Sequence, residues 1–134
     1  MKLMIDFMRT IGLFPLHWRL WVGVLFAANF IVPLFFLYRA EGWVVLGSGM
    51  AAAVVQMVIF SKLGFVRLVG LGHFVWFWLV AWLWIRLEEF APGSPLWYWA
   101  IAVVGLNSIS LIIDVVDVAR FIRGERAPTL KLGQ

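Results

Sequence analysis

The chain has 134 residues, of which 64% are hydrophobic and only 13% charged, and its formal net charge is +4. A soluble domain of this size buries only about 70% of its surface, so the excess of apolar side chains must face lipid. The apolar composition excludes a soluble enzyme. The positive charge does not indicate a nucleic-acid-binding module, because the basic residues lie at the ends of apolar runs. The absence of cysteine excludes disulfides, thiolate metal sites and cysteine nucleophiles.

Residues 1–15 carry apolar side chains at helical spacing, with Lys2, Asp6 and Arg9 on the other face. This pattern predicts an amphipathic helix that lies in the headgroup layer of the membrane. The alternative is a short leader that only precedes the first span. No small-residue cleavage site follows, so the segment does not have the pattern of a cleavable signal peptide. The apolar residues are Leu3, Met4, Phe7, Met8, Ile11 and Phe14.

Four apolar runs, at about 18–38, 43–60, 66–87 and 96–122, are long enough to cross a bilayer. Backbone groups in lipid must form hydrogen bonds within their own segment, so these runs are predicted to be helices. The short connections between them make neighbours antiparallel. The predicted fold is therefore all-α: an integral membrane four-helix up-down bundle in one domain, residues 1–134, with an N-terminal amphipathic interfacial helix.

Basic residues near the ends of the spans predict the orientation. Nine lie on one side and two, Arg39 and Arg86, on the other, where Glu41, Glu88 and Glu89 accompany them. This bias predicts a multi-pass protein of a bacterial-type inner membrane with both termini cytoplasmic, including a basic tail at 124–134. The nine are Lys2, Arg9, Arg19, Lys62, Arg67, Arg120, Arg123, Arg126 and Lys131.

Polar residues in the fourth span share one helical face, because Asn107, Ser110, Asp114 and Asp117 are spaced by three, four and three residues. Counting about 1.5 Å per residue from the cytoplasmic end places Asp114 roughly 12 Å deep. The same count places His73 of the third span roughly 10 Å deep and Gln56 of the second roughly 6 Å deep. We therefore predict a polar cluster of Gln56, His73, Asp114 and Asn107. Asp117 is expected to pair with Arg120 or Arg67.

Two interpretations of this cluster remain open. A histidine beside a buried aspartate is suited to handling protons or ions. The same side chains could instead form a hydrogen-bonded plug that only holds three helices together. Asp117 likewise has two possible roles: it forms a structural ion pair at the membrane boundary, or it contacts a substrate.

Two further motifs concern helix packing. Gly49 with Ala53, and Ser48 with Ala52, form small-xxx-small pairs in the second span, which favour close packing inside the bundle or at a subunit interface. Pro33 in the first span cannot donate to the carbonyl of Asn29, so a kink is expected there. The side chain of Asn29 could help to satisfy that opening.

The sequence leaves three functions open. The first is a homo-oligomeric channel or transporter for an ion or small solute. The second is a non-catalytic subunit or assembly factor of a larger membrane complex, and the third is a lipid-modifying enzyme with Asp114 and His73 as an acid–base pair. Apart from the lipid bilayer, the expected partners are further copies of the chain or another membrane subunit.

No cofactor is predicted. His17 and His73 are the only histidines, and nothing else in the sequence supports haem ligation by them. The third span is rich in tryptophan, which suits either a lipid-facing surface or the stacking of a quinone or sterol. Its tryptophans are Trp76, Trp78, Trp82 and Trp84.

Overall fold

The computed structural model describes residues 1–127, and this part of the chain is all helical. Its five α-helices are α1 (Lys2–Ile11), α2 (Leu16–Phe26), α3 (Ala40–Leu63), α4 (Trp76–Arg86) and α5 (Pro95–Ile122). A π-helical turn (Ala27–Ile31) and a 3-10 helix (Val32–Phe36) continue α2. A 3-10 helix (Arg67–Val75) precedes α4, and a shorter one (Leu87–Glu89) follows it.

Four helical stretches are long and apolar enough to cross a membrane, which confirms the predicted all-α, four-span fold. We call them the first to fourth spans: Leu16–Phe36, Ala40–Leu63, Arg67–Glu89 and Pro95–Ile122. Their ends lie within three residues of those predicted. The predicted tail extends beyond the described residues, of which 124–127 follow α5.

The first span changes its hydrogen-bond register before Pro33. The N–H of Val32 donates to the carbonyl of Ala27, five residues back, as in a π-helix. At the next position in this register Pro33 has no N–H to offer Ala28, whose carbonyl instead accepts a hydrogen bond from Trp99 Nε1 at 2.9 Å. The fourth span thus supplies the donor that the proline removes.

The bundle interior is filled by large apolar side chains. Val45, Leu83 and Val103 come from three different spans, and each is 0% exposed. The indole of Trp99 stacks on the ring of Phe36, with ring centroids 4.8 Å apart. Dense packing of this kind leaves the exposed apolar side chains on the outside, where lipid is their natural solvent.

Helix α1 packs against the end of the second span. The ring of Phe7 lies 5.2 Å from that of Phe60 and 5.5 Å from that of Phe65, measured between centroids. Leu3, Met4 and Met8 remain exposed. Helix α1 therefore keeps one apolar surface available to lipid while its other apolar residues hold it to the bundle.

Candidate functional site

Three spans are joined by a chain of hydrogen bonds through one histidine. His73 Nδ1 lies 2.7 Å from Asp114 Oδ2, and His73 Nε2 lies 2.9 Å from Gln56 Nε2. The second, third and fourth spans each contribute one of these side chains. We call Gln56, His73 and Asp114 the relay.

Two glycines allow the third span to approach both neighbours. A Cβ atom on Gly70 would lie 2.8 Å from Asp114 Oδ1, and one on Gly72 would lie 2.9 Å from the carbonyl oxygen of Ala52 and meet the side chain of Gln56. Any larger residue at either position would push the helices apart. Gly70 lies one 3-10 turn before His73 and faces Asp114, while Gly72 directly precedes His73 and faces the second span.

The partners of His73 determine where its hydrogen lies. In this orientation of the Gln56 amide its nitrogen donates, and the facing His73 Nε2 accepts. The ring hydrogen is then on Nδ1 and is donated to the carboxylate of Asp114. A second hydrogen on Nε2 would face another donor. Protonation of the ring therefore requires the Gln56 amide to rotate and present its oxygen.

The surroundings of the relay are mostly apolar. The ring of His73 stacks on Trp76 with centroids 4.0 Å apart and 13° between the planes. Trp76 is buried, and among the described residues its indole N–H has no hydrogen-bond partner. The side chains of His73 and Asp114 are 17% and 15% exposed, so the relay is screened but not sealed.

Asp117 pairs with Arg67, one of its two predicted partners, at 2.7 Å. Arg120 instead contacts Glu125 at 2.7 Å, and Arg67 lies 3.5 Å from the same carboxylate. The hydrogen bond from Arg120 holds the pKa of Glu125 below its ordinary value. These charges link the start of the third span to the end of the fourth.

Asn107 lies apart from the relay. It exchanges two hydrogen bonds of 2.9 Å with Asn29, and Asn29 also donates to the carbonyl of Leu25. Asn107 shares a face with Asp114 but is seven residues away, which is roughly 10 Å along the helix. At that height its neighbour is the first span. The Asn29 side chain therefore donates to the carbonyl of Leu25, one turn before it. The carbonyl of Ala28, which lacks a donor because of Pro33, accepts a hydrogen bond from Trp99 instead.

The small residues of the second span have different surroundings. Gly49 faces the ring of Phe30, since a Cβ there would lie 3.0 Å from its Cζ atom. Ala52 is buried beneath Gly72, and Ala53 is half-buried. The hydroxyl of Ser48 donates to the carbonyl of Val45 in its own helix. Gly49 and Ala52 thus contribute to packing inside the bundle.

At the opposite end of the bundle, Glu41 forms a buried charge cluster that the sequence analysis missed. Its carboxylate is 1% exposed and accepts hydrogen bonds from Arg39 at 3.1 Å and Arg86 at 2.7 Å. Arg86 also lies 3.3 Å from Glu89 and packs over the ring of Trp82. The hydrogen bond to Glu41 raises the pKa of Arg39. The sequence feature that could have predicted this cluster is the pair of opposite charges, Arg39 and Glu41, directly before the apolar run of the second span.

The described residues include no group of three or more His, Cys, Asp or Glu side chains that could hold a metal ion. His17 lies beside the ring of Trp18, while both ring nitrogens of His73 have partners in the relay. Comparison of the chain with protein-family models, curated proteins and solved structures found no match.

Proposed function

We propose that the protein is a small proton-coupled transporter, in which the relay takes up and releases the proton. The observation that carries the proposal is the hydrogen-bonded chain of Gln56, His73 and Asp114 across three spans. Ionisable side chains inside a membrane are costly, and they are found chiefly where protons, ions or substrates pass.

The relay has two hydrogen-bonding states, as a proton-coupled site needs. With a neutral ring, Gln56 donates to His73 and His73 donates to Asp114. With a protonated ring, the Gln56 amide must rotate to accept from Nε2. Proton uptake would thereby change the contact between the second and third spans. Such a change in helix contact is a means of coupling a proton to the movement of a solute.

The route for a solute is proposed to follow the outside of the bundle. Val45, Leu83 and Val103 fill the interior and leave a single chain little room for a pore. A route on the outside needs a second wall, which another copy of the chain would supply. The proposed transporter is therefore a homo-oligomer, with its relay and both termini on the cytoplasmic side of the inner membrane.

Vesicles containing the purified protein and an internal pH dye test this function. A membrane potential and gradients of Na⁺, K⁺, chloride and organic amines are imposed in turn. We expect at least one of them to drive a change of internal pH that empty vesicles do not show. Asp114→Asn should abolish this change, because an amide cannot take part in the proton exchange.

Asp117→Asn is the matched control, since Asp117 lies one turn away on the same face and is paired with Arg67 outside the relay. It should retain the pH change. A response equal in wild type and Asp114→Asn would exclude the relay from transport. The absence of any response across the panel would count against a transporter.

The filled interior also favours the second candidate, a subunit of a larger membrane complex. Native mass spectrometry of protein released gently from its own membranes distinguishes the two. A homo-oligomer of defined number supports the transporter. A fixed complex with a different polypeptide supports the subunit.

A further inference from the structure

A surface groove between the third and fourth spans leads to one member of the relay. Its volume is about 290 Å³, at the small end of the range for small-molecule sites. Among the described residues, Asp114 is the only ionisable side chain in its lining. The apolar part of the wall includes Gly70, Phe74, Phe77, Leu111 and Val118.

The two carboxylate oxygens of Asp114 have different neighbours. Oδ2 is bonded to His73, while Oδ1 lies beside Gly70, where a Cβ atom would be only 2.8 Å from it. Gly70 and Asp114 both line the groove. Because Gly70 has no side chain, it packs closely against Oδ1 without covering the groove, and the Asp114 side chain keeps 15% of its surface exposed.

We infer that this groove binds an amphiphilic organic cation, with its apolar body between the two spans and its positive charge at Asp114. This inference rests on the proposed function and names its substrate class. A carboxylate in apolar surroundings attracts a cation strongly because there is little water to screen the pair. The half-exposed rings of Phe74 and Phe77 add electron-rich faces that also favour a positive charge.

The charges around Asp114 support a cation rather than an anion. Arg67, on the third span, is matched by Asp117 and Glu125, and Arg120 is matched by Glu125. These three carboxylates and two guanidinium groups leave one negative charge when His73 is neutral. Gln56 reaches the site only through His73, and Ser110 lies one turn before Asp114 on its helix.

The second surface groove provides a contrast. It lies between the second and third spans, has a volume of about 420 Å³ and is lined by Val44, Val75, Trp78 and Trp82 among others. Among the described residues that line it, only Ser48 carries a hydroxyl, which already donates to the carbonyl of Val45, and the indole N–H groups of the tryptophans bear no charge. Without a charge, this larger groove offers nothing that selects a cation over a neutral lipid chain.

Binding of the cation would displace a proton. When the ring of His73 is protonated, its positive charge already balances Asp114. A monovalent organic cation that pairs with Asp114 takes over that balance, and one proton leaves His73 for water. Charge is conserved, and no covalent bond other than the N–H bond changes. The relay and the groove together would thus exchange one proton for one organic cation.

The test uses two probe ions of the same shape and opposite charge, tetraphenylphosphonium and tetraphenylborate. Each is titrated calorimetrically into the purified protein in a neutral detergent. We expect tetraphenylphosphonium to bind once per chain, to release a proton only where the ring of His73 is protonated beforehand, and to bind more weakly as the pH falls. Asp114→Asn should raise its Kd on the order of tenfold, as expected for loss of one charged contact, whereas Asp117→Asn, which removes a charge that does not touch the groove and that Arg67 offsets, should raise it less.

Tetraphenylborate that binds as tightly as tetraphenylphosphonium would overturn the inference, and so would unchanged cation binding in Asp114→Asn. If that variant does not fold, the two probes and the proton release decide the matter on the wild type alone. Binding is measured without vesicles, so it is separable from transport. Cation binding with no pH change in vesicles would preserve the site and reject the transporter. An Asp114-dependent pH change driven by other ions, without binding of tetraphenylphosphonium, would support the transporter and reject the organic-cation site.

Discussion

Asn29 and Asn107 exchange two hydrogen bonds of 2.9 Å between the first and fourth spans, and both side chains are 0% exposed. Each side-chain amide supplies a donor and an acceptor to the other, so that neither buried amide is left without a hydrogen bond. It fixes the height of one span against the other, because a shift by one residue would break both bonds.

This pairing predicts strong coupling between the two asparagines. In a double-mutant cycle with Asn29→Ala and Asn107→Ala, the loss in the double variant should be smaller than the sum of the single losses. The expected coupling is about 1 kcal/mol, from two interhelical bonds worth about 0.6 kcal/mol each. Unfolding by SDS in mixed micelles measures it. Strictly additive losses would show that the pair is not a unit.

Glu41 is expected to be the most sensitive acidic residue for stability. Glu41→Gln keeps the shape of the side chain but leaves Arg39 and Arg86 facing a buried neutral group. The two arginines are partly exposed and can be hydrated, so the cost should be that of losing charged hydrogen bonds, about 1.5–3 kcal/mol. Glu89→Gln is the matched control, because Glu89 is 58% exposed and contacts the same arginine, so its loss should be at most about 1 kcal/mol. Equal free energies of unfolding for the two variants would contradict the burial of Glu41.

Gly72 is expected to tolerate no side chain. A methyl group in Gly72→Ala would meet Gln56 and the backbone of Ala52, so the free energy of unfolding should fall by about 1–3 kcal/mol. Gly105→Ala serves as control, since a Cβ at Gly105 would meet no atom of the described residues within 4 Å beyond its own turn of helix. The control should fold at least as stably as wild type. A Gly72→Ala variant of unchanged stability would mean that the third span has room to move.

The end of the fourth span is predicted to loosen in acid. Because the pKa of Glu125 is lowered in the folded chain, its carboxylate stabilises this end above its ordinary pKa, and the contribution is lost as the pH falls through the lowered value. Amide hydrogen exchange at Glu125, whose N–H donates to the carbonyl of Arg120, reports on it. Corrected for intrinsic rates, exchange should rise on acidification. Glu125→Gln should exchange fast at every pH, and a pH-dependent rise retained in that variant would assign the effect to another group.

Sequence reasoning reached the fold because span length and helix formation follow directly from the properties of lipid. It placed Gln56, His73 and Asp114 at one depth because rise along a helix can be counted without knowing how the helices pack. Sequence reasoning did not separate Asn107 from these three residues. Asn107 and Asp114 share one face of the fourth span, but the sequence does not say which other span packs against that face at each level of the membrane.

The remaining features depend on contacts that a single sequence does not specify. Glu41 lies at a span end, where charges are usually hydrated, and only the fold shows that Arg86 covers it. The π-helical turn before Pro33 is stabilised by Trp99 from a distant part of the chain. The roles of Gly70 and Gly72 become visible only when their neighbours across the bundle are known.

The most direct measurement is ¹⁵N NMR of the His73 ring in lipid, with His17→Gln to leave one histidine in the chain. When the ring is neutral its hydrogen should be on Nδ1, and protonation of the ring in acid should add a second hydrogen on Nε2. Asp114→Asn should change both the tautomer and the response. A hydrogen on Nε2 at high pH, or a ring that never changes its protonation, would contradict a relay that carries protons.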